Sequence, residues 1–173
     1  MLVRCHSEEG IRLRQVLNDT GESGFGQGGI HVLGGLMAGA GKAYDASRLV
    51  PVLGSLGEIH DWKTYCARVE QPLPCDIHAD TGMLRLGLPP DELDKLTEEP
   101  SRLDGLYILV FISHLASSDE PISPKNSYQS VAFTDVRPRL PQGTARSDER
   151  RPGQQCRSRW SPAPQKHTVN TPR

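Results

Sequence analysis

Residues 49–79 read LVPVLGSLGEIHDWKTYCARVEQPLPCDIHA, and this stretch contains the pattern that decides the fold class. The apolar runs at Leu49–Leu53 and Cys75–Ala79 have the length of strands that are buried on both faces. Between them, apolar side chains recur at steps of three or four residues, as on one face of a helix, at Leu56, Ile59, Trp62, Cys66 and Val69. The stretch therefore predicts a strand, a helix and a second strand, which is the repeating unit of a parallel sheet covered by helices.

The same alternation continues in both directions along the chain. Further strands are predicted at Met1–Arg4, Ile30–Leu33 and Tyr107–Ile112. Further helices are predicted at Glu8–Leu17, from Pro89-Pro90 onward and from about Asn126 to Val136. A closed eight-stranded barrel needs about 250 residues, and this chain has 173. The pattern therefore predicts an α/β fold with up to five βα units, which are too few for a closed TIM-type barrel.

Helix starts and buried faces follow from particular residues. Ser55 can cap the helix in the first stretch, and Glu58 can accept a hydrogen bond from the Ser55 amide, which together predict a capping box. In the helix that begins at Pro89-Pro90, Leu93 and Leu96 are expected to be buried. In the helix that ends before Pro138, the buried side is predicted to carry Tyr128, Ala132 and Val136.

Charge divides the chain into two parts. Residues 1–136 carry 11 Lys and Arg against 19 Asp and Glu, whereas residues 137–173 carry 9 against 2. We therefore predict a barrel part at residues 1–140 and a disordered, basic, Pro- and Arg-rich tail at residues 141–173. That composition also fits an out-of-frame reading of GC-rich coding sequence. Trp160 is the only aromatic residue in the tail, which disfavours nucleic acid as a partner.

Cysteine usage and the amino terminus bear on localisation. Cys5, Cys66, Cys75 and Cys156 show neither zinc-site spacing nor the density of a disulfide-stapled domain. The first residues lack a signal-peptide pattern, and no apolar run reaches the length of a membrane span. The sequence therefore predicts a cytoplasmic protein that does not bind membranes.

A metal site is one open alternative. His78, Asp80 and His114 fall at the ends of two predicted strands, where a barrel hydrolase would hold a metal ion. A third and fourth ligand with convincing spacing are missing, so the prediction for the chain remains no metal.

Two segments carry a resemblance to a known family. Asp80-Thr81-Gly82-Met83-Leu84-Arg85-Leu86-Gly87 resembles the D-T-G-M-x-R-L-G signature of alanine racemases, and Ser113-His114-Leu115-Ala116 resembles their S-H-x-A motif. Ile30–Gly35 is similar to the third strand of that family. Pro51–Leu56, with Trp62 in the helix that follows, is similar to the fourth. The resemblance spans roughly residues 9–140.

The resemblance implies a fold and a reaction. Members of the family hold pyridoxal 5'-phosphate at the mouth of an eight-stranded barrel, carry a further β-rich domain and act as homodimers. They interconvert L-alanine and D-alanine, which supplies peptidoglycan precursors. This chain would provide strands two to six of such a barrel.

The family's two proton-transfer bases cannot be matched in this chain. One is the lysine that binds the cofactor, and the other is a tyrosine from the partner subunit. The lysines and tyrosines of this chain lie in other contexts, at Lys42, Lys63, Lys95, Lys125 and Lys166 and at Tyr44, Tyr65, Tyr107 and Tyr128. No catalytic residue is identified, and we predict a truncated protein that is weakly active or inactive.

Two cofactor-binding positions do match. Arg85 aligns with the arginine that donates to the phenolic oxygen of the cofactor and helps to bind the substrate carboxylate. His114 aligns with the histidine beneath the cofactor ring. Many members have a carbamylated lysine two residues before the motif aspartate, and this chain has His78 there, which cannot supply that negative charge. The alternative function is a non-catalytic partial barrel that binds the cofactor or a protein partner.

Overall fold

The computed structural model describes residues 2–20, 29–120 and 122–136 of the 173-residue chain. Five parallel strands lie side by side in chain order, with β1 and β5 at the two edges. The strands are β1 Leu2–Arg4, β2 Ile30–Val32, β3 Leu49–Leu53, β4 Pro74–His78 and β5 Tyr107–Ile112. This arrangement confirms the predicted α/β class and partial barrel. The predicted tail at residues 141–173 lies outside the described residues.

An α-helix follows each of the five strands. The helices are α1 Ser7–Asp19, α2 Gly41–Ala46, α3 Leu56–Arg68, α4 Pro90–Glu98 and α5 Pro124–Val136, with a short 3-10 helix at Pro100–Leu103. The predicted helices match α1, α3, α4 and α5, whereas α2 was not predicted. Because α2 has only six residues, it is too short to show a helical apolar period.

The core lies between the sheet and its helices. Alternate strand residues face this layer, among them Ile30, Val32, Leu49, Leu53, Cys75 and Ile77. From α3, Trp62 stacks on Tyr65 with ring centroids 5.6 Å apart and meets Tyr44 edge-on at 6.3 Å. Val69 was predicted on the apolar stripe of α3 but follows its last residue, Arg68, and is 36% exposed.

The opposite face of the sheet carries polar groups. His31 lies between Ile30 and Val32, and Asp76 lies between Cys75 and Ile77, so both point away from the helix layer. The Nδ1 atom of His31 is 2.5 Å from Oδ2 of Asp76, and both residues are buried. This polar pair joins β2 to β4 across β3.

The capping box at the start of α3 is only half correct. The Ser55 hydroxyl accepts a hydrogen bond from the Glu58 amide at 3.2 Å, as predicted. The Glu58 carboxylate, however, accepts from the Gly54 amide at 2.8 Å rather than from the Ser55 amide. Glu58 therefore ties its helix to the residue directly after β3.

The predicted buried side of α5 is wrong. Tyr128 is 75% exposed, whereas the buried residues of this helix are Asn126 and Gln129. Asn126 and Gln129 are polar because they meet backbone and hydroxyl groups of the loops after β4 and β5. Of the predicted face, Val136 does pack against the core. In α4, Leu93 and Leu96 are buried as predicted, and the helix begins at Pro90.

Candidate functional site

The loop after β4 is folded around one carboxylate. The Oδ1 atom of Asp80 accepts hydrogen bonds from the backbone N–H groups of Gly82, Met83 and Leu84 at 2.8, 2.9 and 3.2 Å. Asp80 is itself buried. A charged acceptor that receives several backbone donors makes strong hydrogen bonds, so Asp80 fixes the first half of the loop.

The second half of the loop returns to the strand it left. The Asp80 amide donates to the Leu88 carbonyl at 2.9 Å, and the Leu88 amide donates to the His78 carbonyl at 2.7 Å. Gly87 has φ +103°, and a Cβ there would lie 2.9 Å from the Asp80 nitrogen. A glycine is therefore required at this close approach. The closed loop projects Arg85 from the carboxyl end of β4.

A cavity of about 190 Å³ opens beside Arg85. Its lining includes Gly35, Gly54, Glu58, His78 and Arg85. Arg85 is exposed, and within the described part of the chain its guanidinium makes no hydrogen bond or ion pair. Its five N–H donors are therefore available to a carboxylate, phosphate or phenolate group.

Two imidazoles meet next to this cavity. The rings of His78 and His114 have centroids 6.2 Å apart and are tilted by 53°. His78 is 2% exposed, and its Nε2 atom has no hydrogen-bond partner among the described residues. Burial, followed by the proximity of His114, lowers the pKa of His78 from 6.5 to about 4, although Asp80 opposes the shift. His78 is therefore neutral at pH 7.

Glu58 is the acidic group of the cavity. Burial raises the pKa of its carboxyl, and the hydrogen bond from the Gly54 amide opposes that shift. A Cβ on Gly35, which has φ +78°, would lie 2.5 Å from Oε1 of Glu58. A glycine at 35 thus leaves room for the carboxylate. Sequence reasoning treated Glu58 only as a capping residue, because its proximity to the cavity depends on how β2 and β3 are placed.

The loops after β4 and β5 contact each other directly. The Thr81 and Ser113 hydroxyl oxygens are 2.7 Å apart. Gln129 on α5 bonds to both loops, through the Thr81 hydroxyl and the His114 carbonyl. No local pattern in the sequence indicates a role for Gln129. The structure thus places Arg85 in one cavity with His78, and it places His114 beside His78.

The metal alternative finds no support in the described part of the chain. No group of three or more His, Cys, Asp or Glu side chains there could hold a metal ion. Asp80 instead directs one oxygen to three backbone amides. His78, Asp80 and His114 are therefore not a described group that could hold a metal ion, as that alternative requires.

The described lysines all lie on helices, and so do the described tyrosines except Tyr107, which lies on β5. Lys63 donates to the Ser101 carbonyl at 2.7 Å, and Lys95 pairs with Asp91 at 3.6 Å on the exposed side of α4. The Tyr44 hydroxyl donates to the Gly35 carbonyl at 2.6 Å, and burial raises the pKa of Tyr44 to about 12. A phenol with so high a pKa is a poor general base near neutral pH. Lys166 lies outside the described residues.

No helix in residues 2–20, 29–120 or 122–136 is long and apolar enough to span a membrane.

Parallel strands that lie side by side in chain order are typical of α/β-barrel proteins, which place their ligand sites at the carboxyl ends of the strands. Residues 2–152 match the family of the alanine racemase N-terminal domain. The chain belongs to this family.

Relatives and solved structures agree with this assignment. An alanine racemase of Rhodospirillum rubrum is 40% identical over 112 residues, which are 65% of this chain and 30% of that protein. A catabolic alanine racemase of Mesorhizobium japonicum is 36% identical over 137 residues, which are 79% of this chain and 34% of that protein. The chain therefore spans about a third of the length of these relatives.

One solved structure is an alanine racemase of Bartonella henselae with covalently bound pyridoxal phosphate. It is 31% identical to this chain and superimposes with a TM-score of 0.73. The match covers 82% of this chain and 39% of that one.

Proposed function

We propose that this chain is the strand-two-to-six part of a pyridoxal-phosphate-dependent alanine racemase and that it contributes cofactor-binding residues. The observation that carries the proposal is the Arg85 guanidinium, which has no partner among the described residues and lines one cavity with the neutral His78. His114 lies beside His78. An anionic, planar aromatic ligand suits such a set, because guanidinium groups bind oxyanions and imidazoles pack against rings.

The residues present fit part of the cofactor. Arg85 would donate to its phenolic oxygen and to the substrate carboxylate, and His114 would lie beneath its ring. When bound, pyridoxal phosphate supplies the electron sink that amino-acid racemisation needs. His78 lines the same cavity as Arg85. Its Nε2 atom, which is buried and has no partner among the described residues, offers one further polar contact to the cofactor.

Arg85 has a definite task in this scheme. Its planar, permanently charged fork can bind two oxygen atoms at once, so it orients the carboxylate while it neutralises its charge. The loop that carries Arg85 is held at both ends, by the Asp80 carboxylate and by Leu88. A preformed loop loses little conformational entropy on binding, which favours affinity.

The wider proposals follow from the family. The substrate is alanine, the product supplies peptidoglycan precursors, the protein is cytoplasmic, and a full-length relative acts as a homodimer. This chain by itself is weakly active or inactive, since neither proton-transfer base can be matched in it. The domain division at residue 140 and the out-of-frame origin of residues 141–173 are part of the same proposal. Sequencing the parent locus tests it, because an intact racemase continuation in another frame is expected downstream.

Binding of pyridoxal phosphate to the full 173-residue chain tests the site. Equilibrium dialysis should show binding that weakens about tenfold or more in Arg85→Met, because a charged hydrogen bond contributes about 1.5–3 kcal/mol. Arg12→Met is the matched control, since Arg12 is also exposed but lies on α1. Equal binding by both variants would contradict the role of Arg85.

The second candidate is a non-catalytic protein that binds the cofactor reversibly. It is favoured by the location of the described lysines on helices or in local bonds. Borohydride reduction followed by peptide mass spectrometry tests whether this chain retains catalysis. A cofactor fixed on one lysine, together with conversion of L-alanine to D-alanine, indicates an active racemase. Without either result, the parent locus separates the two candidates: a racemase continuation in another frame indicates the inactive fragment, and its absence together with reversible cofactor binding indicates the second candidate.

A further inference from the structure

In the first half of helix α5, polar side chains are buried and apolar ones face outward, whereas Phe133 and Val136 near its end pack against the core. Asn126 and Gln129 are 6% and 4% exposed, whereas Tyr128 and Val131 are 75% and 69% exposed. Burial of an amide is unfavourable unless its polar atoms are hydrogen-bonded. The bonds that these buried amides make therefore indicate why the helix has this orientation.

The Gln129 amide connects both loops of the candidate site. Its Oε1 atom accepts from the Ala116 amide at 2.8 Å. Its Nε2 atom donates to the His114 carbonyl at 2.9 Å and to the Thr81 hydroxyl at 3.3 Å. Thr81 belongs to the loop that carries Arg85, and the other two belong to the loop after β5. One side chain thus bonds to both.

Two neighbouring contacts support this arrangement. The Thr81 hydroxyl also bonds to the Ser113 hydroxyl at 2.7 Å. Asn126, one turn before Gln129, donates to the Ser117 and Glu120 carbonyls at 2.9 Å and so holds the continuation of the second loop. Gln129 itself reaches the turn at Gly82, where an added Cβ would lie 3.5 Å from its Cγ.

We propose that Gln129 is a positioning residue that fixes the Arg85 loop against the His114 loop and thereby sets the two cofactor-binding groups relative to each other. The inference rests on the proposed function only for the identity of the ligand. The position requires an amide, because only an amide both donates to the His114 carbonyl and accepts from the Ala116 amide. Glutamate keeps only the accepting half, and methionine keeps neither.

Three variants of the full chain test the proposal: Gln129→Met, Gln129→Glu and the control Gln15→Met. Gln15 lies exposed on α1, so the control makes the same substitution away from the site. Amide hydrogen exchange at Ala116 should be about tenfold faster in Gln129→Met, which corresponds to about 1.4 kcal/mol. Exchange should stay close to wild type in Gln129→Glu and in the control.

The titration of His78, followed by NMR of its ring, provides a readout that a merely structural role would not change. Because His114 contributes to the lowered pKa of His78, release of the second loop should raise that pKa in Gln129→Met. Pyridoxal phosphate should also bind about tenfold more weakly to this variant than to the control.

The outcomes separate the two proposals. If the wild-type chain does not bind pyridoxal phosphate, the proposed function fails, while the exchange and titration data still decide the role of Gln129. The positioning role of Gln129 would be overturned if a folded Gln129→Met variant showed unchanged hydrogen exchange at Ala116 and an unchanged His78 titration. If Gln129→Met does not fold, Gln129→Glu decides. In that variant the His78 titration and cofactor affinity must differ from those of Ser130→Glu, which places the same charge on the exposed side of α5.

Discussion

Replacement of His78 by glutamine should remove a large part of the acid sensitivity of this fold. His78 is buried at the end of β4, and its pKa is lowered from 6.5 to about 4, first by burial and then by His114. The folded chain thus holds the imidazole neutral in a pH range where the unfolded chain protonates it. Glutamine has a similar size and does not titrate.

The direction in which pH changes the free energy of unfolding follows from the protons that the unfolded and folded chains bind. Above pH 6.5 both states keep His78 neutral, so it adds no pH dependence. As the pH falls from 6.5 towards 4, the unfolded chain binds a proton that the folded chain does not, and the free energy of unfolding decreases. The full pKa difference between the unfolded and folded chains corresponds to a loss of about 3 kcal/mol in the free energy of unfolding. About 2 kcal/mol of that stability is already lost at about pH 5.

Urea denaturation at pH 7.5 and pH 5 measures the effect. Wild type should lose about 2 kcal/mol more between these two pH values than His78→Gln does. Burial raises the pKa of Glu58, so that group titrates in the opposite sense, but it is present in both proteins and cancels. The control His60→Gln changes an exposed histidine on α3 and should behave as wild type. Equal losses in wild type and His78→Gln would refute the reasoning.

Three further substitutions test the fold around the site. Gly87→Ala should cost about 1–3 kcal/mol in urea denaturation, because the residue has φ +103° and its Cβ would crowd the Asp80 nitrogen; Gly57→Ala, whose Cβ meets only the Ser55 hydroxyl at 3.8 Å, is the control. Leu96→Ala should cost about 2–5 kcal/mol, since Leu96 is fully buried on the inner side of α4, and a smaller loss would contradict that packing. Leu109→Lys should reduce aggregation in light scattering, because this 37% exposed side chain lies on the edge strand β5; unchanged scattering would contradict edge pairing.

Local sequence patterns could predict most of the elements, because each pattern lies within a few residues. The stripe of α3 and the proline start of α4 both correspond to observed helices. The buried side of α5 could not be found in this way. Its apolar residues suggested one face, but the hydrogen bonds of Gln129 with Thr81, 48 positions away, and with the His114 carbonyl favour another. Tertiary contacts override amphipathic spacing there.

The candidate site was only partly predictable for the same reason. A motif places Arg85 and His114 on their loops, yet nothing in the motif shows that Glu58 shares the cavity. The His31 and Asp76 pair was also missed, since its members are 45 positions apart and meet only when the strands are assembled. Long-range polar contacts of this kind leave no local period in a sequence.

The loop contacts also explain how a partial barrel can keep an ordered site. Each contact at the site joins one βα unit to itself or to the next: Asp80 binds its own loop, Glu58 binds the residue after β3, and Gln129 joins the loops after β4 and β5. None of these contacts needs a strand beyond β5. The family resemblance assigns both proton-transfer bases to segments other than these five units. If the proposed function holds, cofactor contacts and proton transfer are carried by separable parts of the family's fold, and we expect this chain to bind the cofactor weakly without racemisation.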